Sequence, residues 1–503
     1  MSRKAVEKYR NAVLGGPIIP TFLLIGFPLL VVRLVQDVYG IVDSFWLSRY
    51  HQLAVAVPRQ VWPSYMIFTA FTMAFASANI ALLSQYAGAA LYKEFSVTAS
   101  KLFLVSTSSG LLFGTLFYVL APYVFTHLVA TPPEIYSEVL SYARVMSVDL
   151  VLLSVNMALA IIVQALGDTR TPALSQVVGG IANVFLDPVF IMGFGIVPAI
   201  GAAGAALATV LSKVISLAIL LLIVKRRYAW LELRVGHDID KKYLFTTLPI
   251  ALPLLAMNIS NSLAFNMQNR LINTFGGLTA SAFSIGFIVF DLANTSLWGL
   301  TEGITIMIGQ NIGARNFERA KRVAKATSMF LFLAVLATAT IVYLFRIPIV
   351  SIFVTGQGVT QEAVEQLLSE VDNFLTVTIW TLPFFALTFS SMSVGRGSGH
   401  TLIPTVINMF RLWGLRICLG YALALAVGLG TVGIYIAFAI SNIIGGVASI
   451  SWVLWGRWAK PIIGETRKSF AEVREVETPT PITMCRSAKG NGGEKCLQEA
   501  KAV

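Results

Sequence analysis

Long apolar blocks alternate with short polar segments along the chain, from about residue 20 to residue 456. Each block holds roughly twenty residues or more, which is long enough for a helix to cross the hydrocarbon core of a bilayer. The blocks are continuous and lack the alternating ten-residue pattern of a membrane β-barrel. The pattern predicts twelve spans, at about 20–47, 61–86, 99–128, 139–166, 172–195, 201–225, 245–274, 279–310, 325–354, 369–395, 404–429 and 432–456.

The low content of charged residues supports the same interpretation. Of the 503 residues, 56% are hydrophobic and only 12% are charged, whereas soluble domains carry about 25% charged residues. We therefore predict an all-α polytopic membrane protein. The composition turns polar after Trp458, and residues 459–503 are predicted to form a flexible tail.

Lys and Arg residues are unevenly distributed between the two sets of loops. Before the tail, nineteen lie on the side that holds the N-terminus, and four lie on the other side. Because positively charged loops stay in the cytoplasm, we predict a multi-pass protein of the cell (plasma) membrane with both termini cytoplasmic. The same loops account for the net charge of +12, so no nucleic-acid partner is expected.

The two halves of the chain repeat each other. The stretch "SQYAGAALYKEF" (84–95) parallels "GQNIGARNFERA" (309–320), and "ALGDTRTP" (165–172) parallels "GSGHTLIP" (397–404). Six spans in each half put equivalent loops on one side, which predicts two six-helix lobes related by a pseudo-twofold axis along the membrane normal. The predicted parts are a first lobe at 1–228, a connector at 229–244, a second lobe at 245–458 and the tail at 459–503.

One run of the first half, "IANVFLDPVF" (181–190), sets a carboxylate inside an apolar helix. A charged Asp at the centre of a membrane span costs about 2.5–3.5 kcal/mol, so Asp187 is predicted to be functional. Asn183 lies four residues earlier and therefore on the same helical face. Pro188 removes one backbone N–H, which predicts a bend, and Pro28 is a second predicted bending point in the first span.

The first span adds a second acid, Asp43, with Tyr39 and Gln36 on the same face. Side-chain oxygens from these two spans suit Na⁺ or a shared proton, although a lone membrane Asp can also simply bond a neighbouring helix. Asn156 and Met157 are candidates for lining a cavity, and core packing fits them equally well. The predicted cation site consists of Asp43, Asn183, Asp187 and Thr209, of which Thr209 fits a small packing residue equally well.

A set of motifs over residues 15–460 resembles one family of membrane proteins. The first half carries "VYGIVDSFWLSRY", "QALGDTRTP" and "ANVFLDPVFIMGFG" followed by "GAAGAALATVLS", and the second half carries "GQNIGARN" and "RLWGLRICLGY". These motifs resemble those of the multidrug and toxic compound extrusion (MATE) family. The resemblance implies two six-helix lobes around a central cavity and an antiporter that expels organic, often cationic or amphipathic compounds in exchange for H⁺ or Na⁺.

The resemblance also implies a branch and a site. Gln268 stands in span seven where NorM-type members carry an acid, which favours the DinF-like branch. That branch implies a cation site at Asp43, Asn183, Asp187 and Thr209, with Tyr39 and Gln36 near the substrate and the cation path. Beyond the coupling ion we expect no cofactor, and the expected partners are small organic substrates and membrane lipids, bound by a monomer.

Two other functions stay open at this point. A flippase for lipid-linked sugars in the same superfamily needs a cationic cavity, for which Lys213, Arg270 and Arg416 leave some room. Arg416 and Arg411 are otherwise expected to snorkel or to brace the second lobe. A membrane enzyme acting on prenyl lipids is disfavoured because the loops lack an Asp-rich motif, and we predict that the chain is not an enzyme.

Overall fold

The computed structural model describes residues 3–463 apart from 52, 55, 130, 232, 234–238 and 355–360. The chain forms one compact unit over Met1–Ile462, which contains every helix given below. The prediction of a flexible tail falls, from residue 464 onward, outside the described residues.

The described chain is helical almost throughout, with a single isolated bridge between Phe194 and Val197 as its only β-type pairing. Eleven helices are long and apolar enough to span a membrane, and the 37-residue helix Gly277–Gly313 completes the predicted twelve spans. The helices are α1 (Arg3–Gly15), α2 (Ile18–Tyr50), α3 (Ala56–Gly88), α4 (Tyr92–Tyr123), α5 (Pro133–Ala165), α6 (Arg170–Met192), α7 (Ala202–Arg227), α8 (Lys241–Asn273), α9 (Gly277–Gly313), α10 (Phe317–Leu344), α11 (Arg346–Val354), α12 (Gln361–Thr378), α13 (Leu382–Ser398), α14 (Leu402–Phe410), α15 (Leu419–Tyr421) and α16 (Gly430–Trp455).

The helix bounds differ from the predicted spans in the second half. The span predicted at 325–354 ends at Leu344, and α11 is a separate short helix. Pro348 lies in the first turn of α11, where a missing N–H is tolerated, so the proline fits a new helix better than the middle of a long one. A 3₁₀ turn, Ile379–Thr381, similarly divides the span predicted at 369–395 into α12 and α13.

The two halves meet in a reciprocal contact at the carboxyl ends of α3 and α9. A Cβ atom on Gly88 would lie 2.0 Å from the carbonyl oxygen of Gln310, and a Cβ on Gly313 would lie 1.9 Å from that of Gln85. The sequence repeat pairs Gln85 with Gln310 and Gly88 with Gly313. Gly88 therefore contacts the counterpart of Gln85, and Gly313 contacts the counterpart of Gln310. Such an exchange is what a twofold axis along the bundle produces, and it confirms the predicted relation of the lobes.

The same glutamines bind across the lobes with their side chains. Gln85 Nε2 donates to the carbonyl oxygen of Ser398 at 3.2 Å, and Gln310 Nε2 donates to that of Ala165 at 2.8 Å. We call the four residues Gln85, Gly88, Gln310 and Gly313 the interlobe contact. The connector predicted at 229–244 covers the segment between α7 and α8 and the first residues of α8. The limits of the two lobes, at 228 and 245, stay predictions.

Small residues let α6 approach both α2 and α7. A Cβ on Gly180 would lie 2.6 Å from Val35 of α2, and a Cβ on Gly204 of α7 would lie 2.3 Å from the carbonyl oxygen of Phe190. Close approach of this kind needs small side chains, as is usual between membrane helices. It places the polar face of α6 directly against α2.

Candidate ion and substrate site

Two carboxyl groups from separate helices meet between α2 and α6. Asp187 is completely buried, and Asn183 Nδ2 donates to its Oδ1 at 3.2 Å. The carboxyl group of Asp43, from α2, lies within hydrogen-bonding reach of the carboxyl group of Asp187. The structure thus brings together three of the four residues predicted for the cation site.

Three oxygen atoms of this group have no partner. Asp43 Oδ1, Asn183 Oδ1 and Asp187 Oδ2 are buried and form no hydrogen bond with any described residue. Buried acceptors are normally satisfied, so three of them in one place indicate a missing positive group. Two neighbouring carboxylates also repel each other unless a cation or a proton lies between them. The arrangement fits one small positive ion bound by oxygen atoms, either Na⁺ or H⁺.

Thr209, the fourth predicted ligand, is placed differently. Its hydroxyl donates to the carbonyl oxygen of Ala205 at 3.1 Å, and the residue lines an adjacent cavity. Among the described residues, no hydrogen bond joins Thr209 to Asp43 or Asp187. Its role as a cation ligand stays a prediction.

A cavity of about 420 Å³ lies beside the acids, enclosed mainly by helices of the first lobe. Gln36 and Tyr39 face it from α2, and Asn156 and Met157 face it from α5, so all four predicted cavity residues line it. Tyr39 is one helical turn from Asp43 and lies within electrostatic range of its carboxyl group. Tyr39 therefore connects the wall of the cavity with the acid pair.

An ion pair lies behind the cavity wall, and the sequence did not identify its two members as partners. Asp149 is fully buried, and its Oδ2 accepts hydrogen bonds from Tyr65 Oη at 2.5 Å and Lys213 Nζ at 2.6 Å. Lys213 also lines the cavity. Both charged residues were recognisable as buried ions, but nothing in the sequence identifies them as partners, and Tyr65 carries no signal at all.

The cavity has one acid, Glu302, contributed by α9 of the second half. Arg396 of α13 donates to Glu302, so this charge is also compensated. In the second lobe Gln268, which the resemblance aligns with Asp43, is buried, and its Nε2 has no hydrogen-bond partner in the described chain. The second lobe thus has no counterpart of the acid pair among its described residues.

The two predicted bending points lie inside uninterrupted helices. Pro28 is within α2, and Pro188, which directly follows Asp187, is within α6. Their role in bending stays a prediction.

Twelve membrane helices in two related lobes, with a pair of acids and a cavity inside the first lobe, are features of a polytopic membrane transporter. The MatE family model matches residues 28–189 and 253–422, and the chain therefore belongs to the MATE family. This confirms the predicted family and the prediction of a transporter rather than an enzyme. The comparisons do not separate the branches of the family, so the DinF-like branch stays a prediction.

Several named proteins are similar to this chain. The probable multidrug resistance protein YoeA of Bacillus subtilis is 25% identical over 427 residues, which cover 82% of this chain and 89% of YoeA. An FAD transporter of Shewanella oneidensis is 27% identical over 455 residues, which cover 88% of this chain and 95% of that protein.

Solved structures show the same fold. A crystal structure of a MATE protein in the bent conformation has a TM-score of 0.79 at 20% identity and covers 95% of this chain and 99% of that chain. The bent form of the Vibrio cholerae MATE transporter VcmN has a TM-score of 0.79 at 19% identity, with 90% and 98% covered.

Proposed function

We propose that the protein is a secondary active efflux transporter that antiports organic, often cationic or amphipathic compounds against H⁺ or Na⁺ by alternating access. One observation carries the proposal: two acids, the buried Asp187 and the half-buried Asp43, have buried and unpaired oxygen atoms beside a cavity. Relatives named as probable multidrug resistance proteins support the substrate class. The proposal places the protein in the plasma membrane with both termini in the cytoplasm, as the loop charges predict.

The acid pair supplies the coupling. An inward step of one positive charge releases about 2.3 kcal/mol per 100 mV of membrane potential. An ion bound between Asp43 and Asp187 removes the repulsion of the carboxylates and stabilises the arrangement in which α2 and α6 are close. A ligand shifts a conformational equilibrium only by its difference in affinity for the two states. The affinity of this site for the ion depends on the state because the site needs α2 and α6 to be close.

The interlobe contact fits one state of this cycle. In the predicted orientation, the ends of α3 and α9 are cytoplasmic, so the contact closes the cavity on that side. The structure then corresponds to the state that exchanges substrate and coupling ion with the outside. Opening to the cytoplasm requires separation of Gln85 and Gly88 from Gln310 and Gly313.

The test replaces each acid by its neutral isostere. Asp43→Asn and Asp187→Asn should each lower gradient-driven dye efflux from proteoliposomes at least about tenfold, because loss of a charged ligand typically exceeds 1.4 kcal/mol. Asp37→Asn is the matched control on α2, since Asp37 is partly exposed and pairs with Arg33 at 3.3 Å. Undiminished efflux by both site variants would overturn the proposal.

Separate gradients identify the coupling ion. Efflux is measured at fixed membrane potential with a Na⁺ gradient alone and with a pH gradient alone. The ion whose gradient drives transport in the wild type, and fails to do so in Asp187→Asn, is the coupling ion. Because one relative is named an FAD transporter, a flavin nucleotide belongs in the substrate panel beside cationic dyes.

The flippase alternative finds less support in the cavity. A lipid pyrophosphate needs an excess of positive charge, but Lys213 pairs with Asp149 and the other charged residue of the cavity wall is an acid, Glu302. Arg270 is exposed and Arg416 is buried away from the cavity lining. Binding of a lipid pyrophosphate without any effect of cationic dyes would favour the flippase.

A further inference from the structure

Two arginines are buried in the second lobe without an acidic partner. Arg411 and Arg416 are 4% and 5% exposed and lie in a π-helical segment, Arg411–Cys418, that joins α14 to α15. Residues five apart point about 140° away from each other in an α-helix. The wider turn of a π-helix, closed by i→i+5 hydrogen bonds, brings them nearly onto one face, and π segments are frequent at functional sites.

The two guanidinium groups share one neutral acceptor. Asn442 Oδ1, from α16, accepts from Arg411 Nη1 at 3.1 Å and from Arg416 Nη2 at 2.6 Å. Arg411 Nε and Nη2 donate to Asn408 Oδ1 at 3.2 and 2.9 Å, and Arg416 Nε donates to Ser441 Oγ at 3.1 Å. Every acceptor is uncharged, and no carboxylate of the described chain pairs with either arginine.

Three other basic residues of the described chain have acidic partners. Lys213 pairs with Asp149, Arg396 pairs with Glu302, and Arg346 Nε lies 2.5 Å from Asp372 Oδ1. The arginine pair departs from this rule with two positive charges side by side.

Aromatic contacts offset only part of the cost of burying these charges. Arg411 lies 5.0 Å from the ring centre of Phe385, and Arg416 lies 3.7 Å from that of Phe438. A desolvated cation–π contact offsets less than the cost of burying an unpaired ion, to which the repulsion of a neighbouring like charge is added. An arginine has five N–H groups, and within the described chain Arg416 donates only through Nε and Nη2, which leaves Nη1 to bind a ligand.

We propose that Arg411, Arg416 and Asn442 form a binding site for a small monovalent anion of the chloride type. Such an anion balances the positive charge of the two arginines and accepts a hydrogen bond from Arg416 Nη1. Both guanidinium groups are buried, and Arg411 packs closely over α16, since a Cβ on Gly445 would lie 2.3 Å from its Cδ. This enclosure favours a small halide over a large organic anion. The proposed anion site lies in the second lobe and the acid pair lies in the first. An experiment can therefore disprove one site without bearing on the other.

The first test is the anion dependence of stability. Purified protein in detergent is heated at constant ionic strength while sodium gluconate is replaced by sodium chloride or bromide. An anion that binds only the folded state should raise the Tm by about 2–4 °C at saturation. Radioactive chloride should bind at one ion per chain. Equal Tm values in gluconate and chloride, with no chloride bound, would overturn the proposal.

The second test inserts the missing charge. Asn442→Asp places a carboxylate between the guanidinium groups, so the variant should be more stable than the wild type in gluconate and should bind no chloride. This variant avoids the ambiguity of Arg416→Gln, which can lose the anion by failing to fold. Arg322→Gln is the control, because Arg322 is exposed on α10, and it should respond to chloride as the wild type does. Full chloride binding by Asn442→Asp would contradict the site.

Discussion

The two lobes share a framework but place opposite charges at corresponding depths. When the two halves are aligned so that Gly167 matches Gly399, Asn183 falls one position before Arg416 in the alignment. In the first lobe this position lies beside a pair of acids, and in the second lobe it lies beside a pair of arginines that contact no carboxylate of the described chain. Helix packing and the interlobe contact therefore follow the sequence repeat, whereas the signs of the buried charges do not. One lobe can therefore bind a cation while the other serves a different ion.

The largest effect is expected where the lobes are still symmetric. Gly88→Val and Gly313→Val each push a side chain into a backbone carbonyl that lies about 2 Å away. Overpacking against rigid backbone costs about 1–3 kcal/mol or more, which at the upper end shifts a two-state equilibrium over 100-fold. Both variants should lose most efflux and expose single cysteines placed beside Gln85 to a water-soluble maleimide.

Symmetry makes that prediction sharper. The two valine variants should behave alike, because the same contact is made twice. Gly40→Val is the control, since a Cβ there meets nothing within 4 Å. A severe effect at Gly88 with none at Gly313 would show that the repeat does not control the closed state.

An intermediate effect is expected at the ion pair behind the cavity. Lys213→Met leaves Asp149 buried without a cation, and because Lys213 is itself partly exposed the loss should stay below the about 3–5 kcal/mol of a fully buried pair. Asp149→Asn together with Lys213→Met removes both charges and should recover much of the loss. The measurement is the Tm of each purified variant. A double variant as unstable as Lys213→Met would show that packing, rather than charge, decides stability here.

The smallest effect is expected at the link between the lobes. Lys101 of α4 donates to Asp240 Oδ1 at 2.8 Å, and Asp240 also caps α8 by accepting from the backbone N–H of Tyr243. The hydrogen bond from Lys101 holds the pKa of Asp240 below its ordinary value. The carboxylate therefore stabilises the fold above its unfolded pKa, about 3.9, and this contribution is lost as the pH falls through the lower folded value.

Asp240→Asn isolates this charge. Asn is as good a helix cap as Asp, so only the ion pair is lost. Because the carboxylate of Asp240 is half exposed, the loss should be at most about 1 kcal/mol. Urea unfolding at pH 7 and at pH 3 measures it, and the gap between the variant and the wild type should shrink at pH 3. A gap that is equal at both pH values would exclude the ion pair as its cause.

Hydropathy predicted the helices because a membrane span must satisfy its backbone internally and be apolar along its length. It misjudged the region after Leu344, where apolar residues continue through a break between α10 and α11. Helical spacing placed Asn183 and Asp187 on one face, since that relation lies within a single helix.

Relations between helices were harder to predict. The partnership of Asp149 and Lys213 depends on how α5 and α7 are rotated against each other, which the sequence does not state. The arginine pair depends on a π-helical turn that changes which residues share a face. Asn442 is neutral and 26 residues beyond Arg416 in the sequence, so no charge pattern marks it as their common acceptor.

The proposed transport cycle requires Asp43 and Asp187 together to bind one positive ion. Equilibrium binding to the purified protein, with radioactive Na⁺ and with a proton titration in the absence of Na⁺, tests this directly. We expect one bound ion per chain, lost in both Asp43→Asn and Asp187→Asn and retained in Asp37→Asn. Unchanged binding of both ions in the two site variants would contradict it.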